Sequence, residues 1–441
     1  MKKIISALAV SALVFGSAAA KTSVNLNYRQ GTSLYSYTDN GEDKSAGYVE
    51  SRFNALGDFT QQDTLSLKAS GDIFDFQADI QPTTADAIRF NVLKIGAKWG
   101  SFHTQAGWNG DGINGGYRVT NDASNWDGQY FETFKLGSLF TDSFSKYSDN
   151  QINMGGKIFV DRNMYAQADY TVAADDLKVK LIGTVISDRA WNRPETERNN
   201  GDKGWSVFAD VSKGNLFKAE AFVKGATVSA TKKDESTADD RLALVPGLYV
   251  QWLGTDNLIA TVGGAASFYD GDLCDYSFDL RARYAVSSQL SFTYYLKYSE
   301  LDTDNYIATT AHAANAAVDK NLGLAASKVW NGSNKPNAFT TDAALWNFLN
   351  ARYTLNPTVA VSCALGVLTD MGDGKVATGK STNNGSTVSI TPAAEFTAGK
   401  GASIIVGVNA TLCGVGADKD SEFGKETDIG FGIPMYFRVK M

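Results

Sequence analysis

Few residues in this chain are of the kind that perform chemistry. Among 441 residues there are two histidines, His103 and His312, and three cysteines, Cys274, Cys363 and Cys413. Nucleophilic hydrolysis needs a histidine composed with an acid and a Ser or Cys, and no nucleophile motif lies near either histidine. His103 alternates with Phe102, Thr104, Ala106 and Trp108, which predicts a polar interior residue, while His312 falls in a long polar connection. The cysteines lack metal-ligand spacing and are too few for a disulfide framework, although one disulfide stays open. Cys363 and Cys413 fall on apolar parity, where Cys acts as a small hydrophobe. Asp/Gly clusters at 109–116, 270–275, 302–305 and 370–374 offer oxygen ligands. None has the twelve-residue spacing of an EF-hand, and surface turns use the same residues. The expectation is therefore no enzyme, no cofactor, no metal and no nucleic-acid partner.

What the chain has in quantity is charge at alternate positions. Lys178 and Lys180, or Asp279, Arg281 and Arg283, sit two apart, so each set shares one face of an extended strand. The basic residues on this parity are Arg29, Arg89, Lys94, Lys98, Lys178, Lys180, Lys218, Lys224, Arg281, Arg283, Lys297, Arg352, Arg438 and Lys440. The acidic ones are Asp75, Asp79, Asp169, Asp210, Glu220, Asp279 and Glu395. Of these, Arg29, Arg89, Lys94, Lys98, Lys178, Lys180, Asp279, Arg281, Arg283, Lys297, Arg352 and Arg438 are expected to line a pore. Asp279 is placed to offset Arg281 or Arg283. Two readings follow: a charge-balanced wet wall, or a basic ring that favours anions.

The elements that must position these residues show strict period-2 alternation. Ile429, Phe431, Ile433, Met435, Phe437, Val439 and Met441 share a face opposite Tyr436, Arg438 and Lys440. Leu290, Phe292, Tyr294, Leu296 and Tyr298 oppose Ser291, Thr293 and Lys297, and Tyr276, Phe278, Leu280, Ala282 and Tyr284 oppose Ser277, Asp279, Arg281 and Arg283. Phe217, Ala219, Ala221 and Val223 oppose Lys218, Glu220 and Lys224. Such a sheet either turns its polar face to bulk water or encloses it while the apolar face meets lipid. From residue 163 onward, short links (173–176, 212–215, 254–257, 286–288, 356–358, 398–401) alternate with long ones (188–203, 229–240, 301–342, 370–385, 414–426). Short turns at one rim and long loops at the other favour a membrane barrel. Pro246, Pro392 and Pro434 each remove a ladder hydrogen bond and are expected at bulges or strand ends.

The amino terminus has the layout of a secretory signal: Lys2 and Lys3, an apolar run from Ile4 to Phe15, and Ala18-Ala19-Ala20. Cleavage after about Ala20 takes the formal charge from −7 to −9. Beyond residue 20 no run of about 18 apolar residues suits a membrane helix. Texture stays constant and no linker interrupts it, so residues 21–441 read as one domain after a signal peptide at 1–20.

On the alternating terminal strand and the turn pattern, the chain resembles the porin-like outer-membrane β-barrels of diderm bacteria. The resemblance implies an all-β, closed antiparallel transmembrane barrel of about 18 strands (16–20), with short periplasmic turns and long extracellular loops. It also implies an assembly signal in Ile433, Met435, Phe437, Val439 and Met441, read by the barrel-assembly machinery. The family usually ends in an aromatic residue, whereas this chain ends in Met441. The partners implied are outer-membrane lipid and small hydrophilic solutes, and the function is passive diffusion through a porin channel with mild anion preference. A fatty-acid-type transporter is weighed down by the absence of room for a plug before Ser23. A surface adhesin or structural protein using loops 34–62, 108–128 and 301–342 stays open, as does a constriction formed by loop 301–342.

Overall fold

The computed structural model describes residues 21–39, 44–50, 64–82, 88–109, 163–190, 203–230, 239–269, 271–301, 343–370, 385–399, 401–417 and 428–440. Over these the chain forms β1 (Lys21–Asp39), β2 (Lys44–Glu50), β3 (Thr64–Ser70), β4 (Phe74–Pro82), β5 (Ile88–Trp99), β6 (Phe102–Asn109) and β7 (Asn163–Ala174). There follow β8 (Leu177–Ala190), β9 (Lys203–Lys213), β10 (Phe217–Ala230), β11 (Asp239–Thr255), β12 (Leu258–Tyr269), β13 (Asp272–Ala285) and β14 (Leu290–Leu301). The last are β15 (Ala343–Asn356), β16 (Val359–Asp370), β17 (Ser386–Thr397), β18 (Ala402–Gly407), β19 (Asn409–Val415) and β20 (Asp428–Lys440). The expected signal peptide lies outside the described residues.

Strand pairing is antiparallel throughout and joins the strands into one 20-stranded sheet. Two positions in the wall are shared. β2 pairs with β1 along Ser33–Asp39 and β3 pairs with it along Lys21–Asn27. β18 and β19 both lie between β17 and β20, with Val408 between them. Among the described residues, twenty strands less two shared positions leave 18 staves, an even number in the expected range. β20 pairs with β1 from Asn27 to Asp39, so the ladders return to their start. A wall closed this way offers its backbone groups partners on both sides.

The prolines stand where the ladders break. β17 skips from Ala393 to Ile390 across Pro392, whose carbonyl accepts from the Val408 N–H at 2.9 Å. One strand further, β20 skips Pro434 between Met435 and Gly432, and β1 is bulged between Ser33 and Ser36. Pro246 falls in a gap of the β11–β12 ladder between Leu244 and Gly247. The missing N–H of each proline thus coincides with an interruption. At the Pro392 break the buried Asn409 side chain donates to Ser389 Oγ and Thr391 Oγ1, both at 2.8 Å.

Every short link expected from the sequence falls between strands at one rim, with described residues at 175–176, 214–216, 256–257, 286–289, 357–358, 398–399 and 401. Parts of two stretches expected as loop, 34–62 and 270–275, are in fact strand. Leu34–Asp39 and Lys44–Glu50 belong to β1 and β2, because pairing to β20 and β1 organises a stretch too rich in Ser, Gly and Thr to show alternation. Asp272–Asp275 lie in β13, reached through a turn at Gly271, whose φ of 93° is the left-handed conformation that suits glycine.

Candidate functional site

The two faces of the wall divide by polarity in the sense opposite to a water-soluble protein. Ile95, Leu181, Val185, Val207, Leu248, Leu349 and Leu365 are exposed on the outer face. On the opposite parity Asp169, Thr184, Asp210, Glu220, Gln251, Thr261, Arg281, Asn350 and Glu395 are buried on the inner one. Burying charge inside while exposing leucine and valine is costly in water and suits a wall whose outer side meets hydrocarbon.

Aromatic residues bound the outer apolar band. Near the turn rim Trp99, Phe102, Tyr170, Trp252, Tyr284, Tyr353 and Phe396 are all exposed. The polar tips of two of them bond to the rim itself: Trp252 Nε1 donates to Thr255 Oγ1 at 3.0 Å, and the Tyr353 hydroxyl to Gln289 Oε1 at 3.3 Å. That is how amphipathic rings sit at a hydrocarbon–water boundary. Toward the opposite rim Tyr276 packs on Tyr298 at 6.0 Å and Tyr35 on Phe431 at 6.2 Å. Tyr276 and Tyr284 lie on one face of β13. Eight residues at about 3.4 Å rise and ~40° tilt span roughly 20 Å, close to the ~25 Å apolar band of membrane barrels.

The inner face carries the expected charges on its parity wherever side chains are described. Lys94, Lys98, Lys180, Arg283 and Arg352 are half-buried, Lys178 is exposed beside the turn, and Arg281 is fully buried at 0%. For Arg29, Arg89, Asp279, Lys297 and Arg438 the backbone alone is described, and Asp279 pairs in register with Lys297. Ile433, Met435, Phe437 and Val439 lie in β20, with Met435, Phe437 and Val439 in register with β1. Met441 and His312 lie outside the described residues. Cys363 is exposed on the apolar face, as its parity predicts.

The structure brings some of these charges together. Arg352 donates to Glu395 Oε2 at 3.1 Å across β15–β17 and to Thr354 Oγ1 at 3.0 Å. A longer chain crosses β4 to β8. Lys98 Nζ lies 3.6 Å from Asp75 Oδ2, and His103 Nε2 lies 2.8 Å from the same oxygen. His103 Nδ1 lies 2.8 Å from Asp169 Oδ2, and Lys180 Nζ 3.2 Å from Asp169 Oδ1. Register makes this possible: Lys98 pairs with His103, and His103 with Asp169.

The sequence reading missed a second interior feature. Phe208, Phe222, Tyr249, Tyr295 and Phe348 share the inner parity and are at most 4% exposed. Phe208 stacks on Phe222 at 5.2 Å, Phe222 on Tyr249 at 5.8 Å, and Tyr295 meets Phe348 at 6.1 Å. Glycines make room for them: a Cβ at Gly247 would strike the Phe222 ring and one at Gly263 the Tyr249 ring. Such glycine–aromatic cross-strand pairs pin register. The signal was present, since Phe222 stands between Glu220 and Lys224, and Tyr295 between Thr293 and Lys297.

A groove of about 890 Å³, floored by Ala97, Ala106, Ala168 and Gly183 and edged by Ile95 and Trp205, lies on the outer wall. It faces away from the interior charges.

A closed antiparallel barrel with an apolar, aromatic-bounded exterior and a charged interior is a porin-like transmembrane barrel. No family model and no curated protein matches the sequence. Among solved structures it is similar to an anion-selective porin from Comamonas acidovorans, at 11% identity and a TM-score of 0.46, covering 95% of this chain and 99% of that one. It is also similar to OccK11 of Pseudomonas aeruginosa, at 11% identity and a TM-score of 0.47, covering 96% of each chain. The outer membrane channel DcaP of Acinetobacter baumannii aligns at 10% identity and a TM-score of 0.42, over 96% of this chain and 97% of that one. Strand pairing alone defines the barrel here.

Proposed function

We propose that the protein is a passive outer-membrane channel for small hydrophilic solutes, exported by a signal peptide and delivered by its terminal strand to the barrel-assembly machinery. The observation that carries this reading is the inverted polarity of the wall, with charge enclosed and aliphatic side chains facing out. Within the interior, the partly accessible side chains include Lys98, Asp75, His103 and Lys180, at 38%, 23%, 21% and 32% exposure. Charged groups that keep contact with solvent inside a closed wall mark a hydrated passage. The aromatic cluster on β9–β15 adds apolar bulk to the same inner face. No catalytic step belongs to this function.

A mild anion preference is part of the proposal, now assigned to fewer residues than parity alone would choose. Arg281 is fully buried and Arg352 is bonded to Glu395, whereas Arg283 is half-buried, so Arg283 presents more of its charge to a passing ion. Screening at 0.15 M salt acts within about 8 Å, so the preference should fade as salt rises. The test is ion current across a planar bilayer containing the purified protein. Discrete conductance steps with a reversal potential leaning to anions at low salt support the reading. A folded, inserted protein that passes no current overturns it.

A further inference from the structure

The linked charges across β4–β8 contain one group whose charge depends on the proton. We propose that His103 sets the channel's ion preference according to pH, the imidazolium holding two carboxylates and adding one positive charge to the wall. The inference rests on the channel reading above and concerns the regulation of that same passage.

Both ring nitrogens of His103 face carboxylates, each at 2.8 Å: Nδ1 toward Asp169 Oδ2 and Nε2 toward Asp75 Oδ2. The first contact is an aligned hydrogen bond. The second has the distance without the alignment, so it acts as an approach of charges. Neutral imidazole has one N–H and one lone pair, and only the imidazolium presents two N–H groups. A neutral ring here would turn its lone pair on one of the two carboxylates. Only the imidazolium can therefore present an N–H to both carboxylates.

The backbone makes room for this contact. Gly96 of β5 lies between Asp75 and Gln105 in the ladder. A Cβ at that position would fall 2.6 Å from both Asp75 Oδ1 and His103 Nε2. Any larger residue would part the two groups.

The surroundings decide what protonation does. The charged and titratable groups on the strands around His103 are Lys68 on β3, Asp75 and Asp79 on β4, and Lys94 and Lys98 on β5. They continue with Tyr165 and Asp169 on β7, Lys178 and Lys180 on β8, and Asp210 on β9. In the directly linked set, Lys98 and Lys180 offset Asp75 and Asp169. Charge on His103 then takes that set from neutral to +1. Losing the proton also frees Asp75 and Asp169 from one shared partner and exposes their charge to the passage. Both effects run the same way: toward anions on acidification, toward cations as pH rises. Imidazole is the side chain whose charge change ordinarily falls between pH 5 and 8, which sets the range for the test.

The experiment measures reversal potential in a salt gradient at low ionic strength, at pH 5.5 and pH 8, for the wild type, His103→Gln and His103→Lys. The wild type should shift toward anions on acidification. His103→Gln should hold the high-pH value, and His103→Lys the low-pH value, at both pH settings. A shift that survives in His103→Gln overturns the proposal, because other groups would then carry it. A second measurement follows the His103 imidazole by ¹⁵N NMR in the His312→Gln protein in lipid nanodiscs, where it is the sole histidine. Two protonated ring nitrogens at pH 5.5, with one lost by pH 8, support the proposal. A ring neutral throughout that range contradicts it, even if no variant conducts. Absence of current from every variant would instead count against the channel reading.

Discussion

Replacing outward residues of β15 with arginine at two depths tests the membrane placement through one strand, one face and one chemistry. Leu349 and Leu355 are both outward and exposed, at 42% and 51%. Leu355 lies next to the turn, beyond the Tyr353 ring that marks the hydrocarbon boundary. Leu349 is four residues to the other side of that ring. At about 3.4 Å per residue and ~40° tilt this is roughly 10 Å inward, close to the middle of a ~25 Å band. Arginine near the midplane of a barrel's lipid face costs about 2–4 kcal/mol, and near the interface ~0–1 kcal/mol. Leu349→Arg should therefore lower the folded-to-unfolded ratio roughly 30- to 900-fold, with Leu355→Arg within about fivefold of wild type. Leu349→Ala separates lost contact from added charge and should fall well short of the arginine effect. The assay is denaturant titration of the purified protein in phosphatidylcholine vesicles, followed by tryptophan fluorescence and gel mobility of the folded form. Equal penalties at the two depths, or none at Leu349, would refute the depth argument.

Three further outcomes follow from the interior. Gly263→Ala drives a methyl group into the Tyr249 ring and should destabilise the barrel by about 1–3 kcal/mol in the same titration, with Tyr249→Ala on the Gly263→Ala background recovering part of the loss. A double-mutant cycle between Arg352 and Glu395, bonded at 3.1 Å, should give a favourable coupling of about 0.5–3 kcal/mol; zero coupling would mean the pair is not formed in the membrane. Arg283→Glu should fold and move the reversal potential toward cations, while Arg281→Glu, at a fully buried position, should lower the yield of assembled protein. Normal assembly of Arg281→Glu would show that this site is hydrated.

The strands were legible because every one of them meets two environments, and the resulting alternation survives in sequence. β13 and β14 show it directly, with Arg281 and Arg283 set against Leu280, Ala282 and Tyr284. The turn rim was legible for the same reason, since each short link interrupts two alternating runs. The first half of β1 was legible from Ser23 to Arg29, but its second half was not, because Gln30-Gly31-Thr32-Ser33 has no apolar face; its pairing with β20 is fixed by a strand about 400 residues away. The interior aromatics were hidden by a habit of parity reasoning that assigns every large apolar residue to lipid, although Phe222 and Tyr295 stand on the charged face. The Asp75–His103–Asp169 contacts needed the adjacency of β6 and β7, which are separated by the 53 residues from 110 to 162. Parity placed His103 on the inner wall, but only the register could say which carboxylates it meets.

The inverted wall is tested most directly by nitroxide labels placed one at a time at Leu248, Tyr249, Val250 and Gln251 of β11 in vesicles. Oxygen, which partitions into hydrocarbon, and a water-soluble nickel chelate report each label's surroundings by electron spin resonance. Leu248 and Val250, exposed on the outer face, should show high oxygen and low nickel accessibility, with Tyr249 and Gln251 low in oxygen. Oxygen accessibility without this two-residue alternation, or nickel reaching Leu248 and Val250, would contradict a barrel whose apolar face meets lipid.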